Sequence, residues 1–148
     1  MSKPQARPRS DFRVFTPITT RWMDNDLYGH VNNVTYYSYF DTAINGYLIE
    51  HGVLDIHGGD VIGLVVETGC QYYSSVAFPD AIEAGFKVAK LGNSSVRYEV
   101  GIFKAGELVS AAHGYFVHVY VDKESRRPVA LPGELKGVLE SLVSSLKL

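Results

Sequence analysis

The chain has 148 residues, a formal net charge of −2, 46% apolar residues and one cysteine. That length suits one domain, which can bury roughly 70% of its unfolded surface and needs no metal or disulfide to fold. The charge argues against a general nucleic-acid binder, no apolar run approaches the ~20 residues that span a bilayer, and the lone cysteine suits a reducing, cytoplasmic setting.

Residues 1–11, "MSKPQARPRSD", are basic and lack the apolar run of a signal peptide. They read as a flexible tail before a single domain over 12–148. Residues 12–22, "FRVFTPITTRW", are rich in β-branched and aromatic types and read as a strand. Pro17 points to a sheet edge or a bulge there. The polar stretch "RWMDNDLYGHVNN" follows at 21–33. Residues 34–50 carry apolar or aromatic side chains at 36, 37, 40, 43, 44, 47 and 48, a helical spacing dense enough for burial on more than one side. Gly46 inside that helix suggests close packing. "HGVLDIHGGD" reads as a loop. Strand-like runs follow at 61–74, 80–91, 95–104 and 107–121, and the turn signals "LGNSS" and "KAGE" make the last three a meander. After the turn "DKESRRP", residues 132–147 read as a terminal helix. The order, a strand, a long helix and four strands, is α+β, with one antiparallel sheet packed on a central helix.

The polar stretch admits several readings. As a calcium loop, Asp24, Asp26 and Gly29 match positions 1, 3 and 6, but position 5 is Tyr28 and position 12 is Thr35, where a bidentate Glu is required. A phosphotransferase Asp-x-Asp would end a hydrophobic parallel strand, which is absent. Helix capping accounts for Asn32 or Asn33, yet not for Asp24, Asp26 and His30 as well. A functional reading uses more of them. If the chain is extended at 24–26, the two carboxylates face the same way, and each perturbs the other's protonation. The helix that starts just downstream offers free N–H groups and a positive dipole end, suited to an oxyanion. Gly29 lets a substrate approach the backbone. This is apparatus for acyl-group hydrolysis.

"DNDLYGHVNNVTYYSYFDTA" resembles the hot-dog thioesterases of the 4-hydroxybenzoyl-CoA thioesterase type, in which an Asp-x-Asp-x-x-Gly segment, often followed by His-Val-Asn-Asn, precedes the central helix. The likeness runs from about residue 12 to 133 and includes the closing "VDKESRRPVALP". It implies a hot-dog fold, a five-stranded antiparallel sheet wrapped around a long helix, assembled as a homodimer and commonly a homotetramer. It implies an acyl-CoA substrate split by water into a free acid and coenzyme A. No metal or separate cofactor is implied, since coenzyme A is part of the substrate. Asp26 matches the catalytic carboxylate, as nucleophile or general base. Asn33 falls where a helix-start N–H polarises the thioester carbonyl, and Gly29 matches the family glycine. His30 either orients substrate or closes the loop, and Asp24 shapes the turn. Two other readings stay open: a hot-dog enoyl-CoA hydratase, whose Gly-Asp-x-Asn-Pro pattern this chain lacks, and a non-catalytic acyl-CoA-binding protein.

Other residues carry weaker signals. Asp41 lies within the helix and is the main rival to Asp26, because another hot-dog branch uses a helix acid. Glu67, in an apolar strand, reads as an edge or interface ion pair, or as a second acid near a partner's site. His113 and His118 have odd separation on one strand and so face opposite ways, which prevents a two-His metal site. His51 and His57 are loop residues without matching ligands, and no metal is expected. Cys70 reads as a core hydrophobe. Coenzyme A carries three phosphate groups, and Lys90, Arg97, Arg126 and Arg127, with Ser94 and Ser95, are the candidates to hold them. Tyr36, Tyr37, Tyr39 and Phe40 would line the acyl pocket and the core together.

Overall fold

A computed structural model describes residues 5–55 and 58–143. Strand β1 is Val14–Thr19, helix α1 is Thr35–Glu50, and strands β2 to β5 are Val61–Tyr72, Ala81–Leu91, Ser95–Lys104 and Ala112–Asp122. Helix α2, Gly133–Ser141, closes the described chain. All strand pairings are antiparallel, in the order β1-β3-β4-β5-β2. The expected meander β3-β4-β5 is present, and Pro17 lies on the edge strand β1, where its missing N–H costs no sheet bond. The last strand starts at Ala112 rather than 107, because after the turn at Ala105–Gly106 residues 107–111 run irregularly and Val109 bridges to Pro8.

Helix α1 packs on the face of the sheet shared by Phe86 and Gly114. Its Tyr47 ring meets Phe86 at 5.3 Å, and a Cβ on Gly114 would collide with Phe40. The buried side chains of α1 are Tyr36, Tyr39, Phe40, Ala43, Ile44 and Leu48. These fall on one broad stripe, so burial on more than one side is corrected: Asp41, Thr42, Gly46 and Ile49 are exposed. Among the described residues nothing lies within 4 Å of where a Gly46 Cβ would stand, so close packing at that glycine is also corrected within the chain.

The segment expected as a flexible tail is tied down from Arg7 onward. The Arg7 N–H donates to Ser110 Oγ at 2.9 Å, Ser110 N–H donates back to the Arg7 carbonyl at 2.9 Å, and Pro8 bridges to Val109. Arg9 pairs with Glu83 at 2.9 Å and lies over the Phe103 ring. Residues 1–4 and 56–57, with His57 among them, and the end of the expected terminal helix at 144–147 lie outside the described residues. Among the described residues, no helix is long and apolar enough to cross a membrane.

Candidate active site

Between β1 and α1 the chain makes a short 3-10 turn at Trp22–Asp24 and then a tight loop closed by an Asn25–Val31 bridge. The carboxylate of Asp24 is buried, and it accepts from the Arg21 N–H at 2.9 Å, the Arg21 guanidinium at 2.9 and 3.1 Å and the Tyr39 hydroxyl at 2.8 Å. Burial alone would push this carboxyl up, but the hydrogen bonds from Tyr39 and Arg21, with the Arg21 charge, hold it below its usual range. The Asp24 carbonyl also accepts from the Asn32 N–H at 2.9 Å. One residue therefore fixes the turn, the exit of the loop and a helix side chain.

Asp26 has a different setting. Its Oδ1 accepts from the Tyr28 N–H at 2.8 Å, its carbonyl accepts from the Gly29 N–H at 3.1 Å, and its own N–H donates to the His30 carbonyl at 3.0 Å. The loop can turn this tightly because Gly29 holds φ at +85°, a left-handed conformation that disfavours side chains. His30 Nδ1 stands 4.0 Å from Asp26 Oδ1, with the imidazole half-exposed. The two acids do not form a carboxylate pair in one site: the 3-10 turn breaks the extended geometry that would have faced them the same way. Asp24 points into the Arg21–Tyr39 cage, and Asp26 lines a cleft.

That cleft has a volume of about 400 Å³ and is walled by Asp26, His30, Val31 and Asn33 on the loop, Tyr36 on α1, Tyr72 at the end of β2, and Tyr73, Ser74 and Ser75 just after it. The helix is capped from outside: Asn32 Oδ1 accepts the Val34 N–H at 3.0 Å, and the Asn32 carbonyl accepts the Thr35 N–H at 2.9 Å. The Asn33 carbonyl accepts the Tyr72 hydroxyl at 3.0 Å. Among the described residues, no hydrogen bond uses the Asn33 N–H. Asp26 and Asn33 thus line one opening beside the positive end of a sixteen-residue helix.

The structure brings Asp26, His30 and Asn33 together, with Gly29 as the bend between them. The sequence reading did not anticipate the Tyr72–Ser75 wall. Its only signal was the run "QYYSS", where the strand pattern ends in polar residues.

The residues considered for coenzyme A stand elsewhere. Ser94 and Ser95 belong to the β3–β4 turn, which touches the far end of β5 through Tyr120 N–H to Ser94 O at 2.8 Å. Lys90 and Arg97 are paired in register beside that turn. Arg126 and Arg127 lie in the turn after β5, where the Arg127 carbonyl accepts the Asp122 N–H at 2.9 Å. Tyr72 is in register with Ala112, which faces Ile102, so the cleft is at the other end of the sheet. At about 3.4 Å per residue, Ser95 is roughly 24 Å along β4 from Ile102. Within one chain these six residues do not surround Asp26. Arg97 is already engaged over the Tyr115 ring at 3.9 Å.

The other singled-out residues resolve as follows. Glu67 accepts the Tyr115 hydroxyl at 2.7 Å. Phe116 and His118 face α1, while His113 faces away, as odd spacing requires. His113 approaches Glu99 at 3.6 Å, and Glu99 is held down to about 2, first by His113 and then by Lys87. Burial pushes the Cys70 thiol up to about 11, which removes it as a ready nucleophile. His51 Nδ1 lies 2.9 Å from the Tyr47 carbonyl. Tyr36, Tyr39 and Phe40 are core residues, and of these Tyr36 also walls the cleft.

A family model matches residues 20–139, from the loop of Asp24 and Asp26 into α2. The chain belongs to the thioesterase-like superfamily. Its class is therefore that of the thioester hydrolases, and its sheet and helix are those of the hot-dog fold. The PA5185 protein of Pseudomonas aeruginosa is 57% identical, with a TM-score of 0.93 over 95% of this chain and 99% of that one. The YsmA protein of Bacillus subtilis is 26% identical over 132 residues, 88% of each chain. In fold alone, the chain is also similar to Slr0204, a 1,4-dihydroxy-2-naphthoyl-CoA thioesterase of Synechocystis, at 15% identity and a TM-score of 0.79, covering 86% and 96%.

Proposed function

We propose that the protein hydrolyses an acyl-CoA thioester to a free carboxylic acid and coenzyme A at the Asp26 cleft. The observation that supports this reading is that Asp26 and Asn33, whose N–H no hydrogen bond among the described residues uses, line one opening at the start of α1. The thioester carbonyl oxygen sits against that N–H and the helix end, which stabilise the charge that develops on it. Asp26 acts from the other side, either adding to the carbonyl carbon or taking a proton from the water that does. In both routes water supplies the oxygen of the new acid, and the thiolate leaves with a proton. His30 closes the loop beside the carboxylate and orients what enters.

The partner in this reading is a second copy of the chain. Strand β2 is a twelve-residue sheet edge, with Val65 and Val66 49% and 61% exposed, and an apolar edge of that length is a template for pairing. Antiparallel pairing of two β2 edges carries the far end of one sheet beside the cleft of the other. The turn bearing Ser94 and Ser95 and the nearby Lys90, Arg97, Arg126 and Arg127 of a second copy then approach the coenzyme A phosphates. A homodimer is the minimum assembly, and two dimers give a homotetramer. The protein works in the cytoplasm, where acyl-CoA is available.

The decisive experiment is a hydrolysis screen over an acyl-CoA panel with the unaltered protein and Asp26→Asn. The substitution keeps the oxygen that holds the Tyr28 N–H, so the variant folds and loses nearly all turnover. A variant that retains the activity removes Asp26 from the chemistry. Binding of CoA esters without turnover by the unaltered protein would favour the non-catalytic reading, and turnover of crotonyl-CoA by hydration would favour the hydratase.

A further inference from the structure

A second cavity, of about 280 Å³, opens between α1 and β2 away from the catalytic loop. Its walls are Asp41 and Asn45 of α1, Leu54 and Asp55 of the following loop, Ile62, Gly63 and Val65 of β2, and His118 and Tyr120 of β5. His118 is 4% exposed, and among the described residues neither of its ring nitrogens has a hydrogen-bond partner. The neighbouring buried hydroxyl is satisfied, because Tyr120 and Tyr98 share a hydrogen bond of 2.9 Å. A buried polar group without a partner is rare and costly in a native fold. Burial lowers the His118 pKa to about 4, so near pH 7 the ring is neutral, with one N–H and one lone pair to offer. Gly63 leaves the approach to this ring open: a Cβ there would stand 3.1 Å from His118 Nδ1 and 2.9 Å from the Tyr120 ring.

The charges on the wall select the ligand. The Asp41 carboxylate lines the cavity, and among the described lining residues there is no Lys or Arg. An anionic group is repelled there. A neutral hydroxyl on an apolar stem satisfies the imidazole and suits Leu54, Ile62 and Val65.

The cavity also lies in line with the Asp26 cleft. A small hollow walled by Tyr37, Phe40, Asp41, Val65, Thr68 and Phe116 shares Asp41 and Val65 with it. Along α1 the order is Tyr36 in the cleft, Tyr37 in the hollow, and Asp41 and Asn45 at the cavity. Along β2 the order is Tyr72, Thr68, Val65 and Ile62. Tyr36 and Asn45 are separated by roughly 13 Å of helix rise.

We infer that His118 and Gly63 form a subsite for a neutral hydroxyl at the far end of a medium-length acyl group whose thioester lies at Asp26. This rests on the thioesterase reading for the reacting end, but the subsite itself does not depend on it. The same hydroxyl chemistry could arrive on the intact thioester or on a free hydroxy acid.

The test compares acyl-CoA esters of increasing length, each unsubstituted and with a terminal hydroxyl. For the unaltered protein, kcat/KM favours the hydroxylated ester by about tenfold at the length that reaches His118. In His118→Phe, whose ring suits the neighbouring Phe116 and Tyr98, that ratio falls to near one. In Gly63→Val, which fills the approach while keeping the imidazole, it falls likewise. His118→Gln, with a donor and an acceptor, restores part of it. Thermal melts establish that each variant is folded. Separately, the His118 ring resonances are followed while a free terminal-hydroxy acid or the matching alcohol is added. A shift with the alcohol supports the subsite even if no thioester is turned over, so failure of the catalytic reading is seen apart from failure of this one. No preference at any length together with no shift overturns the inference. So does an unchanged ratio in both His118→Phe and Gly63→Val, or a preference for a terminal carboxylate or ammonium over the hydroxyl.

Discussion

Around Asp24 the loop is dry and paired on every side; around Asp26, just beyond Asn25, it opens to a cleft. Both are aspartates on one short loop, and both accept backbone N–H groups. The difference lies in what else each carboxylate meets. At Asp24, the Tyr39 hydroxyl joins the backbone donor at Oδ2 and the Arg21 guanidinium takes up Oδ1, so the charge holds the loop to the helix. At Asp26 the Tyr28 N–H and, at 4.0 Å, His30 both stand at Oδ1, and among the described residues no hydrogen bond uses Oδ2. In the proposed reading the loop separates rigidity from reactivity over two residues, because a pre-organised carboxylate needs a neighbour that does not move.

The comparison breaks most sharply at Asp26. Asp26→Asn should lower kcat by about 10³-fold and leave the melting temperature essentially unchanged. A fall in stability with activity retained would reverse the two roles. Asp24→Asn should do the opposite, at a cost of about 2 kcal/mol of stability from lost charged hydrogen bonds. Turnover of the folded fraction should fall only a few-fold. Guanidinium unfolding and assays well below the melting point measure the two effects.

This second effect has a pH signature. The Asp24 carboxyl is lowered in the folded protein, so its contribution is present above the unfolded value of about 3.9 and is lost as pH falls through the folded value. The stability gap between the unaltered protein and Asp24→Asn should therefore close below about pH 4. A gap that persists into strong acid would mean that shape rather than charge holds the loop. Tyr39→Phe removes one of the four hydrogen bonds to the Asp24 carboxylate and should cost about 1 kcal/mol, read from the same unfolding curves. The smallest effect is expected at Tyr72→Phe. It frees the Asn33 carbonyl at the rim of the cleft and should change kcat/KM by only about three-fold, within the range of one neutral hydrogen bond.

Much of the fold was legible in the chain. Alternation and turn residues give four of the five strands within a few positions, and the i, i+3, i+4 spacing gives α1 almost to the residue. Burial on two sides of that helix was over-read, because aromatic residues such as Tyr37 and Tyr47 count as apolar in a pattern while resting only partly against the core. The tail was misjudged for a different reason. Residues such as Arg7 and Arg9 look solvated by composition, yet their partners Ser110, Glu107 and Glu83 lie about 75 to 100 positions away in sequence and are brought near only by the sheet.

The sequence by itself determined the class of the molecule and the loop that matters. Asp26, Gly29, His30 and Asn33 are close in the chain, so their proximity is a local consequence of one tight turn at a helix start. The tertiary structure alone decided which acid is caged and which is open, because Tyr39 reaches Asp24 only once α1 has packed. It also moved Lys90, Ser94, Ser95, Arg97, Arg126 and Arg127 to the far end of the sheet, and it left the two nitrogens of His118 without a partner among the described residues at a cavity wall. Contacts of that kind join residues distant in sequence, and their geometry is set by strand register and helix placement, which residue patterns constrain only weakly.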